Sequence, residues 1–488
     1  MLLPTSTVLA AALLAASSAS PAAASPPAIE TPASNPTYPA VEMPDTPAGR
    51  FERTWLEAYN SADRAQLERY NALYDRKAPP EDWIAMHATT GTLTPVKVTS
   101  DGPNEILVLF APEKGDAFWS SKISIDPDNP MQLLEKPGNG LTTANRPPEF
   151  ALPRFPQAQL NAMADRKIAA DVAADRFAGT VLVVRHGEVV YQTAAGLADR
   201  ESEAPVTINT KFRLGSANKM FTAVSVLQRV AKGDISLDAT VGDYLPDYPN
   251  KEFARSVTIR QLLSHTGGAG DIFTEEYEKA RLQTRTLADY VTLFGDRAPD
   301  TSEAGKGAYA NYGFVLLGRI VEVVSGETYY DYVRRHIFAP AGMRDTGSLP
   351  EETPVPNRSK GYVQQDGALR DNANTLPWRG SSAGGGYSTA GDMVRFMAAL
   401  RAGRLIPADL LAEATSPQRP DGWYGFGFIV AGEGLTRNWG HGGGAPGMNS
   451  SIRVYPELDA IVVALANLDP PAAEDEADFY ANRMLPGE

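Results

Sequence analysis

The chain has 488 residues, 43% of them hydrophobic and 21% charged, which is enough for two or three globular domains with real cores. Its formal net charge of −14 argues against a nucleic-acid ligand, because phosphates would be repelled. The lack of cysteine excludes disulfides, thiolate nucleophiles and Cys-bound zinc. The five histidines lack metal-ligand spacing, so neither a metal nor another cofactor is expected.

The N-terminus has the composition of a secretory signal. An Ala/Leu-rich run at 9–16 precedes small residues, with a candidate cleavage site at Ala22-Ala23-Ala24. No basic residue comes before Arg50, so the start is atypically uncharged. We predict a signal peptide over 1–24 and export to the periplasm or the medium, with an Ala-rich disordered tail as the alternative. No stretch is long enough for stable membrane insertion.

Residues 25–47 are rich in Pro, Ala, Ser and Thr and predict a linker. A small α+β domain is predicted over 48–145. It begins with two helices around the turn at 60–63, and three extended runs follow as antiparallel hairpins. Its segment W-x-x-A-Y-N-S-A-D resembles the cone-shaped NTF2-like domains. The three runs are 93–99, 105–111 and 117–125.

A Pro-rich linker at 146–156 precedes a second domain over 157–488. We predict a helix from Gln157 to Asp175 and then two strands joined by a His186-Gly187 turn. Helices dominate the middle, and strands return late in the chain. Early and late strands are therefore expected to share one sheet, with the helical middle as a separate subdomain. The predicted strands are 179–185, 188–195, 425–431, 450–455 and 460–466.

Ser216 and Lys219 form a Ser-x-x-Lys at the start of a long apolar helix pattern. Residues three apart share one face of a helix. Desolvation on such a face favours the neutral amine of the lysine, which can then accept the proton of the serine. By itself the pair is also compatible with a surface lysine near a helix start.

Two further segments carry candidate chemistry. Tyr309-Ala310-Asn311 lies just before a helix, where positive potential would favour a tyrosine phenolate as a base. The alternative is a buried tyrosine with a satisfied hydroxyl. The segment 440–447, Gly-His-Gly-Gly-Gly-Ala-Pro-Gly, would let the backbone approach a ligand closely and present N–H groups to an oxyanion, or would be a flexible loop.

The order and spacing of these three motifs resemble the serine β-lactamase and penicillin-binding-protein superfamily, in particular its class C-like branch with esterases and D-amino-acid peptidases. The resemblance covers about 157–470. It implies an α+β, β-lactamase/transpeptidase-like fold, with an antiparallel sheet flanked by helices plus a helical subdomain. The supporting segments are 212–216, 257–268 and 383–392.

The resemblance implies a role for each motif residue. Ser216 would attack an acyl carbonyl, while Lys219 and Tyr309 manage its proton. Asn311 would bind the substrate and steady the lysine. The third motif, His441, Gly443 and Gly444, would serve substrate binding and the oxyanion, with the N–H groups of Ser216 and Gly444 forming the oxyanion hole.

The third motif departs from the pattern of the β-lactamases proper, which usually have Lys-Thr-Gly there. His441 offers at most a partly charged imidazole near neutral pH. An ester or peptide substrate is therefore expected over a β-lactam. His265, which follows Leu262-Leu263, is interpreted as structural.

A rival nucleophile is Ser382 in Gly380-Ser381-Ser382-Ala383-Gly384, which fits the G-x-S-x-G elbow of α/β-hydrolases. An elbow needs a buried strand before it, and Pro377 would interrupt one. We interpret the segment instead as a Gly-rich loop leading into a helix at 391–400.

The predicted function is a serine hydrolase that forms an acyl-enzyme at Ser216 on a small ester, amide or short peptide, with weak β-lactamase activity possible. One alternative is a non-catalytic scaffold or sensor protein that binds or acylates without turnover. In another, residues 50–145 are a binding or oligomerisation module that sets the partner. The sequence does not specify the oligomeric state.

Overall fold

The structure is a computed structural model that describes residues 38–76, 78–116, 118–135, 140–142, 150–302, 308–365 and 367–487. Across these ranges no helix has the length and apolarity needed to cross a membrane. The predicted signal peptide at 1–24 lies outside the described residues and stays a prediction.

In the first domain, three helices pack on an antiparallel sheet. The strands are ordered β1-β2-β3-β4, and β5 also pairs with β3. The predicted helices and strands are present, and α3 is a further helix that the sequence analysis did not predict. Pro80 is the first residue of α3, where the missing N–H costs nothing. The NTF2-like resemblance stays a prediction. The elements described here are α1 (Pro47–Ser61), α2 (Arg64–Leu73), α3 (Pro80–Thr90), β1 (Leu93–Gly102), β2 (Glu105–Pro112), β3 (Phe118–Ile125), β4 (Leu133–Glu135) and β5 (Gly140–Thr142).

The C-terminal part of the predicted linker at 25–47 is packed against this domain. The Val41 N–H donates to the Pro95 carbonyl at 2.7 Å, and Met43 is buried. The Tyr38 ring lies edge-on to Phe118, 5.4 Å between centroids. The linker expectation is therefore wrong from residue 38 onward, because apolar side chains within the Pro-rich composition find partners on the sheet.

The second domain contains the remaining helices and strands. They are α4 (Gln157–Ala173), β6 (Gly179–Arg185), β7 (Glu188–Ala195), β8 (Leu197–Asp199), β9 (Ala204–Pro205), β10 (Phe212–Arg213), α5 (Lys219–Ala231), α6 (Val241–Tyr244), α7 (Lys251–Ser256), α8 (Ile259–Leu263), α9 (Glu275–Ala280), α10 (Leu287–Phe294), α11 (Asn311–Ser325), α12 (Tyr329–Val333), α13 (Ala339–Ala341), β11 (Tyr362–Gln365), β12 (Ala368–Asp371), β13 (Tyr387–Ser388), α14 (Ala390–Arg401), α15 (Ala408–Ala414), β14 (Ile429–Ala431), β15 (Asn438–Ala445), β16 (Met448–Tyr455), β17 (Ala460–Ala466) and α16 (Ala472–Ala481).

A six-stranded antiparallel sheet organises this domain in the order β14-β15-β16-β17-β6-β7. The late strand β17 pairs with the early strand β6 along its whole length, from Ala460 opposite Arg185 to Ala466 opposite Gly179. This confirms that early and late strands share one sheet. Helices α4 and α16 cover one face, and the helical middle of the chain packs on the other.

The main difference from the predicted elements is β15. The Gly-rich segment at 440–447, for which a flexible loop was the alternative interpretation, is mostly strand, and the strand predicted at 425–431 is reduced to β14. Glycines rarely signal a strand. Here they are required by close packing, since a Cβ on Gly440 would lie 2.0 Å from the Ile452 carbonyl oxygen.

A buried ion pair connects the two domains. The Arg483 guanidinium, after α16, contacts both carboxylate oxygens of Asp116 at 2.5 and 3.1 Å. Only 7% and 9% of the two side chains are exposed. The pair therefore fixes the first domain against the C-terminal helix of the second.

We expect Arg483→Ala to lower the free energy of unfolding by about 3 kcal/mol, because it removes the ion pair of a buried carboxylate. A double-mutant cycle with Asp116→Ala, followed by urea denaturation, measures the coupling. Strictly additive effects of the two substitutions would contradict this account of the contact.

Candidate functional site

Ser216 lies on a 3₁₀ turn, Gly215–Asn218, that runs directly into α5. Lys219 is the first residue of α5, so the two side chains share one face as the sequence predicts. Lys219 Nζ lies 3.1 Å from Ser216 Oγ. Ser216 is half-buried, whereas Lys219 is fully buried.

The Lys219 amine is about half neutral at pH 7 and mostly neutral above it. Burial lowers its pKa to about 7, and the negative charge of Asp271 opposes this shift. Nζ also lies 2.7 Å from Asn311 Oδ1 and 2.5 Å from the Ala383 carbonyl oxygen. A neutral amine has two N–H groups for these two acceptors. Its lone pair is then left for the Ser216 hydroxyl.

Tyr309 approaches the same two residues from the other side. Its ring centroid is 4.7 Å from Lys219 Nζ. Burial raises the pKa of Tyr309 well above its usual range, although a hydrogen bond with the Ser216 side chain opposes the shift. Desolvation thus outweighs the potential of the nearby α11 N-terminus, and the raised pKa favours the buried neutral tyrosine over the phenolate. Tyr309 is a neutral phenol that can donate a proton.

Asp271 is a site residue that the sequence analysis missed. Its Oδ1 accepts hydrogen bonds from Asn311 Nδ2 at 2.9 Å and from the Ile272 N–H at 2.6 Å. A carboxylate only accepts, so it directs the Asn311 NH₂ group toward itself and the Asn311 oxygen toward Lys219. Asp271 follows the Gly267-Gly268 segment, but no local spacing indicates that this loop reaches Asn311.

His441 is a buried, uncharged side chain close to the site. It is 2% exposed, with Nδ1 2.5 Å from the Gly442 carbonyl oxygen and Nε2 2.9 Å from the Tyr424 hydroxyl. Burial, and then the charge of Lys219, lower its pKa well below the usual value. The Nδ1–H donates to Gly442, and Nε2 accepts from Tyr424. Burial therefore favours the neutral imidazole, which agrees with the prediction of at most a partial charge.

The His265 ring packs against the Tyr309 ring. Its Nδ1 accepts the Ala310 N–H at 3.1 Å, and its ring lies 4.2 Å from the Tyr309 ring and 4.5 Å from that of Tyr424, between centroids. Burial lowers its pKa well below the usual value. A packing role agrees with the structural interpretation made from the sequence.

Strand β15 runs directly against the nucleophile turn. A Cβ on Gly443 would lie 2.0 Å from the Leu214 carbonyl oxygen and 2.9 Å from Ser216 N. A Cβ on Gly215, whose φ is +55°, would lie 3.2 Å from Gly444 N. The Ser450 hydroxyl fixes this contact by donating to Leu214 O at 2.8 Å. The backbone nitrogens of Ser216 and Gly444 are thus brought together.

The rival nucleophile Ser382 is inaccessible. It is fully buried, and a Cβ on Gly318 of α11 would lie 2.3 Å from its Oγ. The segment is the predicted Gly-rich loop: its Ala383 carbonyl accepts from Lys219, and α14 follows at Ala390. Within the described ranges, no three His, Asp or Glu side chains converge to hold a metal ion.

Comparison with known proteins identifies the family. The family model for beta-lactamase matches residues 164–484. The chain belongs to the beta-lactamase family. Residues 48–145, for which the sequence predicts an NTF2-like domain, lie outside this match.

Three relatives of this beta-lactamase-family chain differ in their named activities. It is 29% identical to penicillin-binding protein 4 of Amycolatopsis lactamdurans over 59% of this chain and 80% of the relative. It is 32% identical to esterase EstB of Burkholderia gladioli over 52% of this chain and 76% of the relative. The D-amino acid amidase of Ochrobactrum anthropi SV3, solved with L-phenylalanine, superimposes with a TM-score of 0.56 at 25% identity. The match covers 66% of this chain and 94% of the amidase. These matches confirm the predicted β-lactamase/transpeptidase-like fold.

We expect the activity on a neutral ester to rise with pH through about 7, because the neutral form of Lys219 is populated above its pKa. Measuring kcat/KM for a p-nitrophenyl ester across that range gives the midpoint. Lys219→Arg introduces a permanently charged guanidinium and should lose about a thousandfold. A flat profile across pH 7 would contradict the role of Lys219.

We expect Gly443→Ala to lower kcat about a hundredfold, because the new methyl group would push β15 away from Leu214 and Ser216. Gly391→Ala is the matched control, since its Cβ would meet its nearest atom at an ordinary 3.7 Å. Measuring kcat and Tm for both variants separates an effect on catalysis from a general loss of stability. Equal activity of the two would contradict the close contact.

Proposed function

We propose that the protein is a serine hydrolase that forms an acyl-enzyme at Ser216 on small esters or amides. The observation that carries this is the 3.1 Å contact between Ser216 Oγ and a lysine amine whose two N–H groups already have acceptors. An amine so arranged has its lone pair directed at the serine hydroxyl. That is what a serine needs in order to act as a nucleophile near neutral pH.

In the proposed reaction, the Ser216 proton passes to Lys219 Nζ as Oγ bonds to the acyl carbon. The Ser216 and Gly444 N–H groups stabilise the oxyanion, each worth about 3 kcal/mol. Tyr309, a neutral phenol, gives its proton to the departing alkoxide or amine and recovers one from the Lys219 ammonium. Water then attacks the acyl carbon and gives a proton to Lys219. Tyr309 gives its proton to Ser216 Oγ and recovers one from Lys219, so that the free acid is released and Ser216 is restored.

The third motif supports the proposed substrate class. His441 is neutral, so this position has no permanent cation for the carboxylate of a penicillin or a peptide C-terminus. The relatives named as an esterase and a D-amino acid amidase support esters and amides, including short peptides with a D-residue. β-Lactams would be poor substrates. We further propose that the protein is exported, as its N-terminal sequence predicts.

Ser216→Ala should abolish both fluorophosphonate labelling and p-nitrophenyl ester cleavage, while Ser382→Ala should retain most of each. The second variant removes a buried hydroxyl with no hydrogen-bond partner among the described residues. Labelling followed by mass spectrometry identifies the modified serine. A label on Ser382, or full activity of Ser216→Ala, would refute the assignment.

The same assay separates the proposed hydrolase from a scaffold that acylates without turnover. A turnover enzyme releases many equivalents of p-nitrophenol, whereas a scaffold stops after a stoichiometric burst. Comparing short esters, nitrocefin and a D-alanine anilide then ranks the ester, β-lactam and amide substrates.

A further inference from the structure

Asp271 places an exposed carboxylate beside the nucleophile. Its Oδ1 is two hydrogen bonds from the Lys219 amine, through Asn311, at 2.9 and 2.7 Å. Asn311 is buried, but Asp271 itself is exposed. Its negative charge acts on both Lys219 and Tyr309, the two side chains next to the Ser216 hydroxyl.

Three acidic side chains of the following helix have cationic partners. Glu275 lies 3.7 Å from Lys279, Glu278 lies 3.4 Å from Arg281, and Glu276 lies 4.0 Å from Arg297. Arg297 also donates to the main-chain oxygen of Asp271 at 2.7 Å, although its ion pair is with Glu276. Among the described residues, the Asp271 carboxylate has no ion pair.

The basic groups around Ser216 do not balance this charge. Above pH 7 the Lys219 amine is neutral, and burial keeps His265 and His441 uncharged. Arg419, beside the aromatic side chains at Tyr424, is almost fully buried and forms an ion pair with Asp421. None of these basic groups therefore forms an ion pair with the Asp271 carboxylate.

We propose that Asp271 sets the charge preference of the site, favouring substrates with a cationic or neutral group beside the scissile carbonyl and rejecting those with a carboxylate there. This rests on the proposed function, since it presumes that the acyl carbon sits at Ser216 Oγ. It extends that function by naming the substrate class: amino acid esters and amides with a free ammonium group, and neutral esters.

Three methyl esters of nearly equal size test the preference. Glycine betaine methyl ester carries a permanent cation, methyl 3,3-dimethylbutanoate is its neutral analogue of the same shape, and monomethyl malonate carries a carboxylate. Methanol release is measured at pH 8, with the uncatalysed rate subtracted. The readout is the ratio of kcat/KM between Asp271→Asn and wild type for each ester, which cancels the intrinsic reactivity of the ester.

For Asp271→Asn, this ratio should be about tenfold lower for the betaine ester than for the neutral ester, and about tenfold higher for the malonate. The substituted amide keeps an acceptor oxygen for Asn311 but not the charge. Any loss of Asn311 positioning affects all three esters alike. The matched control is Glu275→Gln, which removes an exposed carboxylate that is paired with Lys279 and should leave the three ratios equal.

Equal ratios for the three esters in Asp271→Asn would overturn the proposal. So would a malonate preference in the wild type. Calorimetric titration of the esters into Ser216→Ala gives a readout that does not need turnover. If that protein binds betaine and malonate esters equally, the charge preference is wrong. If it binds the betaine ester more tightly while wild type cleaves none of the three, the preference stands and the proposed hydrolase function fails.

Discussion

The site depends on a lysine that is kept out of water. Burying Lys219 costs free energy if it is charged, so the fold favours the neutral amine and must supply a partner for each polar atom. Those partners come from three separate parts of the chain: Asn311 at the start of α11, Ala383 in the Gly-rich loop, and Ser216 on the turn before α5. Losing any one of them would leave a buried polar atom unpaired.

Close backbone contact is the second constraint. Strand β15 can lie against the nucleophile turn only because Gly443 and Gly215 have no side chains to hold them apart. The same strand carries His441, whose two ring nitrogens are used within the protein by Gly442 and Tyr424. In this family member the third motif therefore shapes the site through main-chain atoms rather than through a positive charge.

The buried basic groups near Ser216 and the exposed Asp271 carboxylate together determine the charge of the site. Burial favours the uncharged forms of the lysine and of both nearby histidines, whereas the Asp271 carboxylate is exposed. Asp271 also orients the Asn311 amide, so one side chain links the protonation state of the lysine to the charge a substrate encounters. The first domain is fixed to the rest by Asp116, in a hairpin loop, and Arg483, just after the last helix.

Local sequence patterns determined many of the strands and part of the site of this protein. Apolar periodicity and turn residues predicted β6, β7, β16 and β17 to within two residues, and the Ser-x-x-Lys spacing put Ser216 and Lys219 on one face. Other features depend on residues far apart in the chain, and only the tertiary structure decided them. The neutrality of Tyr309 and His441 follows from burial, the strand character of β15 from its pairing with β16, and the role of Asp271 from a loop that reaches Asn311. Desolvation and close packing depend on what surrounds a residue in space, which neighbouring sequence does not specify.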